Sequence, residues 1–391
     1  MTGRPVYLDF AATTPVDPRV AAAMQDCLGA GGDFANPSSI HVAGRASHER
    51  VEAARASLAR LLNAAPENLV VTSGATEADN LAIVGAARYR AHRGHHLVTM
   101  PTEHKAVTAT FAWLAKNGFE VTWLEPDADG LLQPEALEAA LREDTQLVSV
   151  MHVNNETGTI QDIAALGAVC REHDILFHSD AAQSAGKLPI DLASLPIDLL
   201  SLTAHKFHGP QGIGALYVAD RPGCRVEPIL HGGGQERRLR PGTLPVHLVV
   251  GAGMAAGIAR ETMAEDRCHV ASLRARLWEG IRDLPGIVRN DSERHAWPGF
   301  LNVSTPDIDG ESLMLALEPV CVATGSACNS TSAEPSYVLR ALGLSDRAAA
   351  SAIRFSFGRG TTEADIDTAI AAYRRAVEHL RALAPRAERA S

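Results

Sequence analysis

Two side chains with complementary chemistry each follow an apolar run of the sequence. Asp180 comes directly after residues 175–179, and Lys206, 26 residues later, comes shortly after residues 197–202. A lysine amine can form a carbon–nitrogen bond with an aldehyde, and a carboxylate can hold a protonated ring nitrogen. If both runs are strands, the two groups can face one ligand at the carboxyl ends of those strands. The pair therefore predicts a site for the aldehyde cofactor pyridoxal phosphate (PLP).

The segment 72–77 joins a strand-like run to a stretch of helical length. Gly74 and Ala75 would let backbone N–H groups approach an anion such as a phosphate, and a helix N-terminus favours negative charge. Thr76 could add a hydroxyl. The alternative is an ordinary N-cap formed by Ser73 or Thr76.

Single polar residues near other strand-like runs could complete such a site. His104 could stack on a cofactor ring and move protons, although a lone histidine is more often structural. Gln183 lies one helical turn after Asp180 and could hydrogen-bond the phenolic oxygen of PLP. Arg354 is a charged residue within the strand-like run 352–356, where it could bind a substrate carboxylate or face solvent.

The segment 323–333 contains one cysteine, Cys328, among residues that are otherwise small or polar. A structural cysteine usually has apolar neighbours, so this composition favours a thiol on an exposed loop that can attack and then move away. A surface loop with an incidental cysteine is the alternative. The other cysteines are widely spaced without a CxxC pair, which indicates reduced thiols rather than zinc ligands or disulfides.

Length and composition exclude several classes of protein. The chain has 391 residues, of which 46% are hydrophobic, which is enough for two domains. A formal net charge of −10 argues against binding to nucleic acid or to a membrane surface. We expect no membrane span, since no apolar stretch approaches about 18 residues. The N-terminal segment 1–5 lacks the apolar core of a signal peptide, so we expect a cytoplasmic protein.

Strand-like runs alternate with stretches of helical length through the first two thirds of the chain. This alternation predicts an α/β fold with a mostly parallel seven-stranded sheet. The last of these strands, at 212–218, follows its predecessor too closely for a helical crossover, so we expect it to be antiparallel. The other six are predicted at 69–72, 97–100, 120–124, 147–152, 175–179 and 199–203.

A long helix is predicted at 246–264, and the remainder reads as a smaller α+β unit with strands at 300–304 and 352–357. Its last helix begins near Thr362, where Asp365 completes a capping-box-like start. The expected organisation is a large PLP-binding domain of residues 16–260. A small domain of residues 1–15 and 261–391 would carry the Cys328 loop.

Taken together, these motifs resemble the cysteine desulfurases of the IscS/NifS type, which are class V aminotransferases among the PLP enzymes of fold type I. The resemblance covers nearly the whole chain. The long segment around Cys328 is similar to that of the group whose persulfide loop is long. The matching segments are 7–15, 72–80, 102–105, 151–158, 180–183, 205–206, 325–328, 334–343 and 354–362.

The resemblance implies how the cofactor would be held. Lys206 would bind PLP covalently, Asp180 would pair with the pyridinium nitrogen, and Gln183 would contact the phenolic oxygen. His104 would stack on the ring and assist acid–base catalysis, and Asn155 would contribute to the cofactor site. The residues implied at the phosphate are Ala75, Thr76, Thr203, His205 and, from the second subunit of a homodimer, Thr243. Ala204 is also implied at the cofactor.

The resemblance also implies the reaction. L-cysteine, its carboxylate bound by Asn155 and Arg354, would become L-alanine while its sulfur passes to Cys328 as a persulfide. The sulfur would go on to an iron–sulfur scaffold protein or to a tRNA-thiolation relay. No resident metal is expected, although Cys328 could transiently ligate a nascent iron–sulfur cluster together with a scaffold.

Three alternatives stay open at this point. The nearest is another PLP enzyme of the same fold, such as a selenocysteine lyase or an aminotransferase, although an aminotransferase needs no nucleophilic thiol. A non-catalytic relative that acts as a scaffold or sulfur-relay partner would bind little PLP. A metal-binding protein would depend on His92, His95 and His96, a cluster expected in a solvated loop before a strand.

Overall fold

The computed structural model describes residues 5–324 and 335–383, which are organised around two main β-sheets. The strands are β1 (Val6–Tyr7), β2 (Leu69–Thr72), β3 (His96–Thr99), β4 (Glu120–Trp123), β5 (Thr145–Ser149), β6 (Leu176–Asp180), β7 (Leu199–Thr203), β8 (Gly214–Val218), β9 (Val288–Arg289), β10 (Phe300–Ser304), β11 (Val320–Cys321), β12 (Ala323–Thr324) and β13 (Ala352–Ser356). The helices are α1 (Pro18–Gln25), α2 (Val42–Leu61), α3 (Ala75–Tyr89), α4 (Lys105–Lys116), α5 (Pro134–Ala140), α6 (Ile163–Glu172), α7 (Val246–Ile281), α8 (Gly310–Ala316), α9 (Tyr337–Ala341), α10 (Asp346–Ala350) and α11 (Glu363–Leu383).

The large sheet has seven strands in the order β2-β8-β7-β6-β5-β3-β4. All neighbours are parallel except β8, which is antiparallel to both β2 and β7. This arrangement confirms the predicted α/β class and the antiparallel final strand. The carboxyl ends of β6 and β7 lie side by side, so Asp180 pairs with Ser201, two residues before the end of β7.

Helices cover both faces of the large sheet, which is why most of its strands are buried and largely apolar. Alternate residues of β7 enter different cores because successive side chains of a strand point to opposite faces. Leu199 packs in the cluster that includes residues of α3 and α4, and Leu200 packs in the cluster that includes residues of α2, α6 and α7. Both side chains are fully buried.

The second sheet is antiparallel, in the order β12-β13-β10-β9, and the short strands β1 and β11 pair beside it. Val6 and Leu8, near the start of the chain, share a core with residues of α7, α8 and α11. Before α11, Thr362 N–H donates to Asp365 (2.8 Å) and Asp365 N–H donates to Thr362 (3.2 Å), which confirms the capping box. The domain boundaries proposed from the sequence stay a prediction.

The helix α7 extends to Ile281, so its predicted end near residue 264 is wrong. Its second half is largely charged, but Val270, Leu273, Leu277 and Ile281 recur at helical spacing and are buried in the core of the second sheet. The helix therefore contributes to two cores, first to that of the large sheet and then to the second. Across the part of the chain that is described, no helix is long and apolar enough to cross a membrane.

Candidate active site

A cavity of about 620 Å³ opens where β6 and β7 end and α3 begins. This position follows the general rule that ligands of parallel α/β sheets bind at the carboxyl ends of the strands. Its size lies within the usual range of small-molecule sites, roughly 300–1,000 Å³. Ten residues singled out from the sequence line it: Ala75, Thr76, His104, Asn155, Asp180, Gln183, Thr203, His205, Lys206 and Arg354.

The lysine and the aspartate reach the same cavity from neighbouring strands. Asp180 ends β6 and is buried, and its Oδ1 accepts a hydrogen bond from the Ala182 N–H at 2.8 Å. Burial raises the pKa of Asp180, whereas His104 and Lys206 act in the opposite direction. Lys206 lies in a short turn after β7, where its Nζ donates to the carbonyl oxygens of Ala11 (2.5 Å) and Ala12 (2.8 Å). A cationic ring nitrogen beside Asp180 would stabilise its carboxylate.

The N-terminus of α3 forms one end of the cavity. Gly74 precedes the helix with a φ of +154°, a conformation that side chains rarely adopt. A Cβ on Gly214 of β8 would lie 2.7 Å from the Gly74 Cα, so this close approach of the two backbones requires glycine at position 214. The first N–H groups of α3 and the side chain of Thr76 can therefore receive an anion.

Two further residues at this end already have hydrogen-bond partners. The Thr203 hydroxyl donates to the Ile213 carbonyl oxygen (3.1 Å), so it must exchange that bond to donate to a phosphate. His205 contacts Thr13 through Nδ1 (3.1 Å), and burial together with Lys206 and Lys187 lowers its pKa to about 4. His205 is therefore a neutral imidazole at neutral pH.

His104 combines a structural contact with a place in the cavity wall, and its role towards a cofactor stays a prediction. It caps α4, because its Nδ1 accepts a hydrogen bond from the Ala106 N–H at 3.1 Å, and its ring also lines the cavity. Burial lowers the pKa of His104, so the ring is neutral at neutral pH. With Nδ1 accepting, the remaining proton is on Nε2, which is left to donate to a ligand.

Arg354 forms the opposite wall of the cavity. Its guanidinium donates to the Asn155 carbonyl oxygen (2.6 Å) and pairs with the Asp9 carboxylate (2.7 Å). Its Nε and the side-chain oxygen of Asn155 are buried without a hydrogen-bond partner among the described residues. An unpaired buried donor is unfavourable, so the Arg354 Nε–H makes this wall suited to a ligand that carries a carboxylate.

Two predicted site residues among those described do not line this cavity. Ala204 is fully buried, and Thr243 is exposed on a loop after Gly242, away from the cavity of its own chain. Cys328 lies outside the described residues. Its role in the reaction, the role of Thr243 at a partner's site and that of Ala204 stay predictions.

Sequence reasoning gave no role to several residues that line the cavity. Asp9 is the counter-ion of Arg354 and comes from the far end of the chain. Glu156 is buried, accepts a hydrogen bond from the Ser336 hydroxyl (2.5 Å), and burial raises its pKa to about 7. Both lie in the matching segments 7–15 and 151–158, but their residue types resemble ordinary turn chemistry there.

The histidine cluster considered as a metal site is not a solvated loop throughout. His96 belongs to β3 and is fully buried, with its ring nitrogens bonded to the hydroxyls of Thr145 (2.7 Å) and Thr122 (2.8 Å). His95 packs against the ring of Phe119. Among the residues that the structure describes, no group of three potential ligands is positioned to hold a metal ion.

Comparisons with known proteins are consistent with this site. The family model described as aminotransferase class-V matches residues 6–368. The chain is 54% identical to the cysteine desulfurase IscS of Proteus mirabilis (strain HI4320) over 382 residues, 97% of this chain and 95% of that protein. A solved NifS-like protein superposes with a TM-score of 0.90 at 36% identity, covering 96% of this chain and 100% of the other. The structure titled SspA in complex with cysteine gives a TM-score of 0.80 at 39% identity, covering 91% and 99%.

Proposed function

Because the chain belongs to the class-V aminotransferase family, among the cysteine desulfurases of the IscS type, we propose that it converts L-cysteine to L-alanine and transfers the sulfur to Cys328. The observation that supports this most directly is the shared cavity. Lys206 and Asp180 face it from the sheet, and Arg354 faces it from the other side with an unpaired N–H. One wall suits an aromatic aldehyde with a basic ring nitrogen, and the other suits an amino-acid carboxylate.

The residues of the cavity fit PLP as the cofactor. Lys206 would hold it covalently, Asp180 would face its ring nitrogen, and Gln183 would face its phenolic oxygen. The amides at the start of α3 would bind its phosphate, with Thr76, Thr203 and His205 beside them, and the ring of His104 would cover its face. When bound, PLP withdraws electrons from the Cα of an attached amino acid and so makes its proton acidic.

The chain's own groups would then bind and orient the substrate. Arg354 and Asn155 would hold the carboxylate of L-cysteine, which supplies the acceptor that the Arg354 Nε–H lacks, while Asn155 would donate through its side-chain NH₂ group. The Lys206 amine would take the proton from Cα and hold it for return to the product. His104 would donate a hydrogen bond through Nε2–H.

The sulfur transfer itself would be a displacement at the substrate sulfur. The thiolate of Cys328 forms a new sulfur–sulfur bond as the carbon–sulfur bond of L-cysteine breaks. The electron pair of the broken bond returns to the substrate carbon, which takes up a proton and leaves as alanine. Cys328 is oxidised to a persulfide and the carbon is reduced, so no external oxidant is needed.

We further propose that the protein is a homodimer and passes its sulfur to an iron–sulfur scaffold or another acceptor protein. Phe34, Ile40 and Val42 are exposed, Ile40 to 90%, which is suited to an interface with a second copy. Thr243 is also exposed and would reach the partner's phosphate site. A cytoplasmic location is part of the proposal, since the five described cysteines are free thiols, which a reducing compartment maintains.

The test is to incubate the purified protein with PLP, L-cysteine and a reductant, and to quantify alanine and sulfide. We expect equal release of both. The variant Cys328→Ala should retain the visible absorption of bound PLP and lose sulfide release. Full turnover by this variant would rule out the proposed sulfur acceptor.

The remaining outcomes separate the alternatives. Bound PLP with amino-group transfer to a keto acid, but without sulfide, would indicate an aminotransferase. Faster turnover of selenocysteine than of cysteine would indicate a selenocysteine lyase. A protein that binds no PLP would contradict the proposed enzyme altogether.

A further inference from the structure

A second lysine adjoins the cavity and has no part in the reaction described above. Lys187 follows β6, and its Nζ donates to the side-chain oxygen of Gln183 at 2.8 Å. Its ammonium also lies over the ring of Phe300, 5.2 Å from the ring centre. The cavity residue Gln183 is therefore held from behind by a lysine.

The groups that act electrostatically on Lys187 are cationic or neutral. They are Lys206, Arg354, His205 and His208. Asp266 and Arg359 line a small cavity together with Lys187, but within the described residues no carboxylate forms an ion pair with Lys187. Burial, and then Lys206 and Arg354, lower the pKa of Lys187. Since a nearby anion would favour the charged ammonium form of Lys187, the site is suited to a ligand that brings negative charge.

Two contacts together, one of them the hydrogen bond from Lys187, fix which end of the Gln183 amide faces the cavity. An ammonium group only donates, so the amide oxygen must point towards it. The Gln183 NH₂ group then points the other way, where it donates one hydrogen to the Ala11 carbonyl oxygen at 2.8 Å. Its second hydrogen remains for a ligand, because Gln183 lines the cavity.

We propose that Lys187 is a positioning residue that fixes Gln183 as a hydrogen-bond donor to an anionic oxygen of the cavity ligand. In the proposed function, on which this inference rests, that oxygen is the phenolate of PLP. A phenolate accepts hydrogen bonds and repels other acceptors. If the Gln183 amide were turned so that its oxygen faced the phenolate, PLP would bind less tightly. The positive charge of Lys187 polarises the Gln183 amide, which strengthens its NH₂ group as a hydrogen-bond donor to the phenolate.

The inference predicts the direction of a spectroscopic change. Without Lys187, the Gln183 amide is held, among the described residues, only by the Ala11 carbonyl oxygen, and a positive charge near Lys206 is lost. Both changes favour the protonated form of the nitrogen that joins Lys206 to PLP, since a nearby cation disfavours a second one. The pH at which bound PLP changes its visible absorption should therefore rise.

The experiment compares Lys187→Met, Lys187→Arg and a matched control, Lys116→Met, which removes an exposed lysine at the end of α4. Methionine keeps the aliphatic stem beside Phe300 and removes the charge. We expect Lys187→Met to raise the absorption transition by about one pH unit and to weaken PLP binding about tenfold. Lys187→Arg should keep the absorption transition and the PLP affinity close to those of the wild type. Lys116→Met should change neither quantity.

The outcomes separate this inference from the proposed function. If the wild-type protein shows no PLP absorption, the proposed function fails first. If the wild type binds PLP and Lys187→Met has the same absorption transition, the positioning role is overturned. Thermal unfolding of the cofactor-free proteins completes the test: a lower melting temperature with an unchanged transition would reduce Lys187 to a structural residue and also overturn the inference.

Discussion

The two walls of the cavity are assembled in different ways. The sheet wall consists of Asp180, Thr203 and Lys206, which lie at the ends of the adjacent strands β6 and β7. The arginine wall consists of Asp9, Asn155 and Arg354, and its Asp9–Arg354 pair joins positions 345 residues apart. The sheet wall can be inferred from local patterns, whereas the arginine wall exists only once the ends of the chain have folded together.

The two walls also differ in the charge of the ligand that each can bind. On the sheet wall, burial raises the pKa of Asp180, and a cationic group must approach to stabilise its carboxylate. On the arginine wall, the cation already has a carboxylate and a carbonyl as partners and keeps one unpaired N–H. The first wall suits a cofactor that brings positive charge on its ring, and the second suits a substrate that brings a carboxylate. Changes on the two walls should therefore have separable effects.

The largest effect is expected on the sheet wall, from Lys206→Ala. Loss of the amine removes both the covalent attachment of PLP and the base at Cα, so alanine formation should fall at least about 10³-fold. Borohydride reduction should attach PLP to the wild type and not to the variant. Lys116→Ala serves as a control. Activity of Lys206→Ala within tenfold of the wild type would contradict the assignment.

On the arginine wall, Arg354→Lys should lower kcat/KM for L-cysteine about 10²-fold, mainly through KM, because lysine cannot replace the forked guanidinium contacts. The absorption of bound PLP should stay unchanged, which separates this wall from the sheet wall. Steady-state kinetics and spectra of the same sample provide the measurement. The surface pair of Arg276 with Asp367 offers a matched control in Arg276→Lys. An equal loss of PLP affinity in Arg354→Lys would show that the walls are not independent.

Near the arginine wall, Glu156→Gln should change how stability depends on pH. Burial raises the pKa of Glu156 from 4.5 to about 7, so between these values the folded state keeps a proton that the unfolded state has released. The contribution of Glu156 to stability is therefore present below about pH 4.5 and is lost as the pH rises through about 7. Relative to the wild type, Glu156→Gln should gain up to roughly 3 kcal/mol in free energy of unfolding between about pH 5 and pH 8.

Denaturant unfolding of the cofactor-free proteins at the two pH values measures this difference. Glu138→Gln, at an exposed position of α5, is the control and should show no comparable gain. A constant difference between Glu156→Gln and the wild type at both pH values would mean that Glu156 has an ordinary pKa.

The smallest effect is expected from Thr203 on the sheet wall. Its hydroxyl already donates to the Ile213 carbonyl oxygen, so binding a phosphate exchanges one hydrogen bond for another. Thr203→Val should weaken PLP binding only severalfold, equivalent to about 1 kcal/mol. Thr203→Ser, which keeps the hydroxyl, should match the wild type in a titration of the cofactor-free protein with PLP. A loss of 100-fold in Thr203→Val would mean that the phosphate depends on this hydroxyl far more than the exchange allows.

The sequence predicted the large sheet well because both of its faces are covered. All buried strands except β8 are short, largely apolar runs that end in a polar residue, and β2 and β7 begin and end where the predicted strands do. The same reasoning placed the end of α7 too early. Its second half has charged residues around a narrow apolar stripe, and only the core of the second sheet shows that the stripe is buried.

The sequence by itself determined the α/β fold, the antiparallel β8 and the chemistry of Lys206 and Asp180, because these follow from patterns within a few tens of residues. The tertiary structure decided the partners of Arg354, the tautomer of His104 and the contact of Lys187 with Gln183. Those depend on atoms that chain folding brings within about 3 Å, and on burial, which shifts pKa values. Residue type alone specifies neither these short distances nor burial. A strand arginine such as Arg354 has the same sequence signature whether it faces solvent or a ligand, and so does a lysine that follows a strand.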